Sequence, residues 1–124
     1  MTKKIIVIVT QPPYGKEEAY GAIPLASAQT AVDNEAEVIF VSGGVHSVVK
    51  GQQTGYGSPA VWKKDVPSIE NEIKEHLDIV NFYVVDSYLK KRGISDNEII
   101  EGVKKITLSN LTDKILESDV TLVF

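Results

Sequence analysis

The chain contains no cysteine. That excludes disulfides, thiolate metal sites and any persulfide carried on its own side chains. An excess of positive charge is also missing: 13 Lys and Arg stand against 17 Asp and Glu, a formal net charge of −4. A dedicated nucleic-acid binder needs a positive face to displace counterions, so no direct nucleic-acid partner is expected. Long apolar runs are absent as well. The first, Ile5 to Val9, is stopped by Gln11, Pro12 and Pro13. A membrane span needs about 20 apolar residues and a signal peptide a longer apolar core, so a soluble, cytoplasmic protein is expected. Histidine occurs only at 46 and 76, with no ligand spacing around either. No metal and no cofactor are therefore expected.

What is present fits one domain over residues 1–124. Lys4 to Thr10 is a nearly continuous β-branched run, the pattern of a strand buried on both faces. A helical stretch follows from about Lys16 to Val32, with Ala19, Ile23, Ala26 and Thr30 roughly on one face and Pro24 inside it. Glu37 to Ser42 reads as a second buried strand. Lys50 to Asp65 is rich in Gly, Pro and polar residues and reads as a long surface loop carrying Trp62. Asp65 and Pro67 resemble a helix start, with Ile69, Ile73 and Leu77 along that helix. Ile79 to Val85 is the third strand. A short helix from Tyr88 to Arg92 stops at Gly93, and Ser95 with Glu98 has capping-box spacing. Val103 to Thr107 is a fourth strand. Ser109 to Glu117 is the last helix, with Leu111, Ile115 and Leu116 inward, and Val120 to Phe124 is a charge-free fifth strand. Strands alternating with helices imply parallel pairing through right-handed crossovers. The expected class is α/β: a three-layer, flavodoxin-like, five-stranded parallel sheet in the order 2-1-3-4-5.

In such a sheet ligands bind outside the carboxyl ends of the strands. That rule collects Tyr14 and Gly15 after the first strand, Gly43, Gly44 and His46 after the second, and Asp86 and Ser87 after the third. Tyr14-Gly15-Lys16 leads into a helix and could hold an anion, although the glycine fingerprint of phosphate loops is absent and a plain turn fits as well. The two glycines at 43 and 44 permit close approach by a ligand or a partner chain. His46 has the chemistry of a proton shuttle, and the same residue fits a surface turn. Asp86 could orient His46 or bind a cation, but its place also makes it a good N-cap for the following helix. His76 and the basic run Lys90-Lys91-Arg92 fit helix ends that complement the dipole.

The chain resembles the DsrE-like sulfur-relay family, and within it the DsrF/TusC branch. The residues that carry the resemblance are Gln11-Pro12-Pro13-Tyr14-Gly15, and Gly44-Val45-His46 with Val49, Lys50, Gly51 and Gln52. They continue with Asp86-Ser87-Tyr88-Leu89 through Arg92-Gly93-Ile94, and close with Ser118-Asp119-Val120-Thr121-Leu122-Val123-Phe124. The resemblance implies a compact flavodoxin-like fold and assembly as a homo-oligomer (dimer or trimer) or as a hetero-oligomer with DsrE-like and DsrH-like subunits. It also implies that a DsrE/TusD-type partner carries persulfide sulfur on a cysteine just after the third strand, towards tRNA thiolation or sulfur oxidation. Here that place reads Val84-Val85-Asp86, and no neighbouring side chain can form a persulfide. The expectation is a non-catalytic subunit of a sulfur-relay assembly, with the Lys50 to Trp62 loop and the last strand as contact regions. The alternative is a homo-oligomeric small-ligand binding protein or enzyme using the rim.

Overall fold

A computed structural model describes residues 2–14, 17–52 and 68–124. The strands are β1 (Lys4–Val9), β2 (Glu35–Phe40), β3 (Asn81–Val85), β4 (Lys104–Ile106) and β5 (Val120–Val123). The helices are α1 (Glu18–Ala31), α2 (Ile69–His76), α3 (Asp86–Lys91) and α4 (Leu108–Glu117), and a 3-10 helix runs from Ser42 to Val48. β1 and β2 are apolar on both faces and sit in the middle of the sheet, where helices cover both sides of them. The second strand begins two residues earlier than the apolar pattern suggests, because Glu35 N–H already bonds to Lys3 O.

All named strand pairs are parallel, and their order is β4-β3-β2-β1-β5. The α/β class and the five-stranded parallel sheet are as expected; the order 2-1-3-4-5 is not. Both orders share one rhythm of elements. They differ in which helix crosses alone on its face of the sheet. Ala19, Ala22, Ile23 and Ala26 of α1 pack in the same core cluster as Ile69 and Ile73 of α2 and Leu89 of α3. Among the described residues α4 is the helix that covers the opposite face, through Leu111 and Ile115, against Ile6, Ile8, Ile39, Val41 and Val85, with Tyr88 of α3 reaching the edge of that cluster. Three right-handed crossovers on one face carry the chain steadily outward to β4. The fourth, on the other face, brings it back past β1 to make β5.

The larger face holds Phe40 and Phe82, stacked with ring centroids 6.3 Å apart and interplanar angle 13°. Each such buried side chain contributes roughly 1.5–3 kcal/mol. The α4 face is thinner and uses a polar fastening. Glu37, on β2, is buried at 7% exposure. Both its carboxylate oxygens accept from Lys114 Nζ of α4 at 3.2 Å, and Lys4 Nζ stands 3.9 Å away. The Lys114 ammonium lies 4.0 Å above the centre of the Tyr83 ring. Burial, then hydrogen bonding to Glu37 and its negative charge, push the Tyr83 hydroxyl pKa up to about 12.

Local signals are met in part. Gly93 takes φ +67° after α3, and the Ser95–Glu98 capping box is present. α4 is capped by Thr107, whose hydroxyl accepts from Asn110 N–H. Leu116, expected inward, is exposed, since Leu111 and Ile115 already fill the seam. The N-cap of α2 is Ser68, whose Oγ accepts from Asn71 N–H. The start expected at Asp65 and Pro67, the Lys50 to Trp62 loop beyond Gln52, and Lys16 all lie outside the described residues.

Candidate functional site

Because the strands are parallel, Thr10, Val41, Asp86, Thr107 and Phe124, which follow their last residues, share one rim. Tyr14 is exposed there, and Gly15 lies outside the described residues. Gly43 and Gly44 do allow a close approach, but the group that approaches belongs to this chain. A Cβ on Gly44 would stand 2.1 Å from Val9 O and 2.8 Å from Val9 C; one on Gly43 would meet Thr10 O at 3.2 Å and Pro12 Cδ at 3.3 Å. The Val9 carbonyl is held in place by Val41 N–H at 3.0 Å, and Gly44 N–H closes back onto Val41 O at 2.8 Å. Ser42, between them, takes φ +51°, unusual for a residue with a side chain. The glycine pair therefore joins the ends of β1 and β2.

His46 and Asp86 are not brought together. Asp86 is the first residue of α3 rather than its cap, and its Oδ2 pairs with Lys90 Nζ at 3.0 Å, one turn on. Among the described residues the His46 ring has no hydrogen bond or ion pair, although its carbonyl accepts from Val49 N–H. Ser87 Oγ is buried and unpartnered among the described residues, as is Ser47 Oγ. His76 closes the last turn of α2 with Nδ1 2.7 Å from Glu72 O. Lys91 stands 5.7 Å over the Tyr88 ring, so the basic run is a solvated helix end. His46→Ala and Asp86→Ala are each expected to change unfolding free energy by no more than about 0.5 kcal/mol, since the His46 ring gives up no bond to a described residue and Asp86 gives up one pair to the exposed Lys90. Urea unfolding checks this, and a large loss in either would give that residue a structural role instead.

Two features of the site were not anticipated. The first is a clamp between Gln52 and Glu70. Glu70 Oε1 accepts from Gly51 N–H (2.9 Å) and Gln52 N–H (3.0 Å), while Glu70 N–H donates to Gln52 Oε1 at 3.0 Å. Gln52 Nε2 donates to Ser47 O and Val49 O, and Lys74 Nζ donates to Glu70 Oε2. Burial raises the Glu70 pKa, but the Lys74 hydrogen bond and the two N–H donors outweigh it and leave it below its ordinary value. A lowered pKa stabilises the fold above the unfolded value of 4.5 and loses that contribution as pH falls through the folded value. Glu70→Gln should therefore cost about 1 kcal/mol at neutral pH. The difference from wild type should shrink as urea unfolding is repeated at falling pH below 4.5. A pH-independent difference would remove the carboxylate from the explanation.

The second feature is a cavity of about 470 Å³ beside the end of β5, lined by Glu17, Glu18, Tyr20, Gly21 and Phe124. Glu18 Oε2 is buried with no hydrogen-bond partner among the described residues. Phe124 is fixed by its main chain: its N–H bonds to Ile8 O, and its carbonyl accepts from Thr10 N–H and Thr10 Oγ1. A lone acidic residue in the first turn of a helix is too common to have marked this place in the sequence. Among the described residues no group of three or more His, Asp and Glu side chains is placed to hold a metal ion. Nor is any helix there long and apolar enough to cross a membrane.

The model of the DsrE/DsrF-like family matches residues 3–124. The chain belongs to the DsrE/DsrF-like family. An uncharacterised protein of Methanocaldococcus jannaschii, MJ0989, is 29% identical over 122 residues, covering 98% of this chain and 99% of its own. Protein YchN of Escherichia coli is 27% identical over 129 residues, with 98% and 99% coverage. The crystal structure of YchN superposes over all of both chains with a TM-score of 0.79 at 26% identity. MTH1491 of Methanobacterium thermoautotrophicum, a protein of unknown function, shares the fold with a TM-score of 0.73 at 14% identity over 98% of this chain and 99% of its own. The end-to-end likeness to YchN supports the placement near the DsrF/TusC branch. For this DsrE/DsrF-like chain, the motifs that carry the resemblance have structural work. Gly44 seats β1 against β2, Gln52 builds the clamp, and Asp119 Oδ2 accepts from Lys4 N–H at 2.7 Å to start the β1–β5 pairing.

Proposed function

We propose that this protein is a non-catalytic, DsrF/TusC-like subunit of a cytoplasmic sulfur-relay assembly serving tRNA thiolation or sulfur oxidation. It would complete the assembly by surface rather than by chemistry. The observation that carries the reading is the absence of cysteine from a member of the DsrE/DsrF-like family. At the end of β3, where the resemblance implies the partner's cysteine, this chain reads Val84-Val85-Asp86, and the Asp86 carboxylate is tied to Lys90. Neither a carboxylate nor the neighbouring Ser87 hydroxyl can carry a persulfide. Sulfur must then reside on another subunit, a DsrE-like chain with a cysteine, within a hetero-oligomer of this chain with DsrE-like and DsrH-like subunits.

Tagged protein recovered from its native cytoplasm, with partners identified by mass spectrometry and mass by light scattering, tests this. A defined complex with a cysteine-bearing DsrE-like subunit is expected. Recovery of this chain alone, under conditions that preserve other complexes, would remove the relay role. It would favour the second reading, a homo-oligomeric small-ligand binder or enzyme. The cavity beside Phe124, with the unpartnered Glu18 oxygen, supports that alternative.

A further inference from the structure

The cavity beside the end of β5 combines features that the fold itself does not require. Its walls are Glu17 and Glu18 at the start of α1, Tyr20 and Gly21 further along that helix, and Phe124. Tyr20 and Phe124 are partly buried and pack against the larger core, so the fold holds both rings in place. Gly21 lies inside α1, where glycine weakens a helix relative to alanine. Neither backbone nor packing asks for it. Gly21 is not among the described glycines with positive φ, and a Cβ there would meet only Phe124 Cε1, at an ordinary 3.7 Å. What the missing side chain leaves is an open wall between the helix and the Phe124 ring. The volume, about 470 Å³, is that of a small-molecule site.

We propose that this cavity binds a small organic cation, an ammonium or guanidinium group carried on an apolar skeleton. Among the described residues its lining holds two carboxylates and no Lys, Arg or His. An anion drawn to the N–H groups of a helix start would meet both carboxylates there. Glu18 Oε2 is shut from water with no hydrogen-bond partner among the described residues. A carboxylate oxygen in that position is costly until a donor reaches it. The last torsion of a glutamate turns freely, so either oxygen can face a donor in the cavity. An ammonium there gains a charge-assisted bond to Glu18 and lies beside two aromatic rings, whose faces attract cations. The skeleton packs on the same rings and fills the space left at Gly21. A hard metal ion fits less well. Calcium takes about six to eight oxygen ligands, and no group of three or more His, Asp and Glu is placed for a metal among the described residues.

The inference rests on the second reading above only in taking the cavity for a ligand site. Partner capture tests the relay role separately, and either result there leaves the cavity to be judged on its own. One skeleton in three charge states makes the test: phenethylammonium, phenethyl alcohol and phenylacetate, each titrated at neutral pH into the isotope-labelled full chain and followed by amide NMR. Phenethylammonium is expected to shift the Glu18, Gly21 and Phe124 amides saturably, and to bind about tenfold more tightly than either isostere. Glu18→Gln should weaken that binding about tenfold. Gly21→Leu, which fills the cavity without touching its charge, should abolish the shifts. No saturable shift at millimolar phenethylammonium would overturn the proposal, as would equal binding of the three probes or tighter binding of phenylacetate. So would wild-type affinity in either variant, or shifts confined to other parts of the chain. Should Glu18→Gln not fold, Gly21→Leu, which adds a good helix former at an exposed position, and the three wild-type titrations decide.

Discussion

Gly44→Ala is expected to cost about 3 kcal/mol or more, and to lower the melting temperature by roughly 10–15 °C. The cause is space, not dihedral freedom, because Gly44 is not among the described glycines with positive φ. Its missing Cβ would sit 2.1 Å from Val9 O and 2.8 Å from Val9 C. Those atoms are main chain of β1, which has a neighbour on each side, and the carbonyl is engaged by Val41 N–H. No rotamer change relieves the clash; β1 and the 3-10 helix must separate. Gly43→Ala is the control. Its nearest atoms lie at 3.2 and 3.3 Å, one of them on the Pro12 ring, and a shift of a few tenths of an ångström accommodates it for about 1 kcal/mol. Thermal and urea unfolding of the two variants measure the contrast. A Gly44→Ala protein within about 1 kcal/mol of wild type would show that the strand junction yields, and the packing account would fail.

The second large effect is expected at the fastening of α4. Lys114→Met leaves the Glu37 carboxylate buried beside the Tyr83 hydroxyl, with Lys4 Nζ 3.9 Å away and without the two 3.2 Å hydrogen bonds from an ammonium. Stranding one member of a buried pair costs about 3 kcal/mol. Removing both charges is far cheaper, because an apolar replacement needs no compensation in a buried seam. The double variant Lys114→Met with Glu37→Gln should therefore recover at least half of the loss. A double-mutant cycle by urea unfolding gives the coupling directly. Additive single effects would mean that Lys114 and Glu37 act independently, and that the Tyr83 ring, 4.0 Å below the ammonium, supplies the contact that matters.

The alternation of strands and helices, the parallel sheet and the shared rim were legible because they follow from periodicity and from the rules of crossover connections. Strand order was not. It turns on whether α1 or α4 crosses alone, and both helices have an apolar stripe. The signal lay in their quality: α1 buries four residues, while α4 buries Leu111 alone. At the rim, the sequence marked Gly43 and Gly44 as places of close approach, but the approaching atom belongs to a residue some 35 positions earlier. Glu37 looked like the polar edge of a strand. Its partner is 77 residues away, on a helix whose face of the sheet was itself unread. Asp86 was read as a cap because a helix was expected two residues later; the extra turn makes it an ordinary i,i+4 partner of Lys90.

The clamp between Gln52 and Glu70 has a consequence for what can change in this chain. Its reciprocal main-chain and side-chain bonds hold the two ends of positions 53 to 67 to each other and to the 3-10 helix. Lengthening a segment whose ends are already fastened costs only about 0.6 kcal/mol for each doubling. Gln52 and Glu70 thus act as a stitch: the 3-10 helix and the start of α2 keep their mutual placement through bonds that begin and end in those two residues.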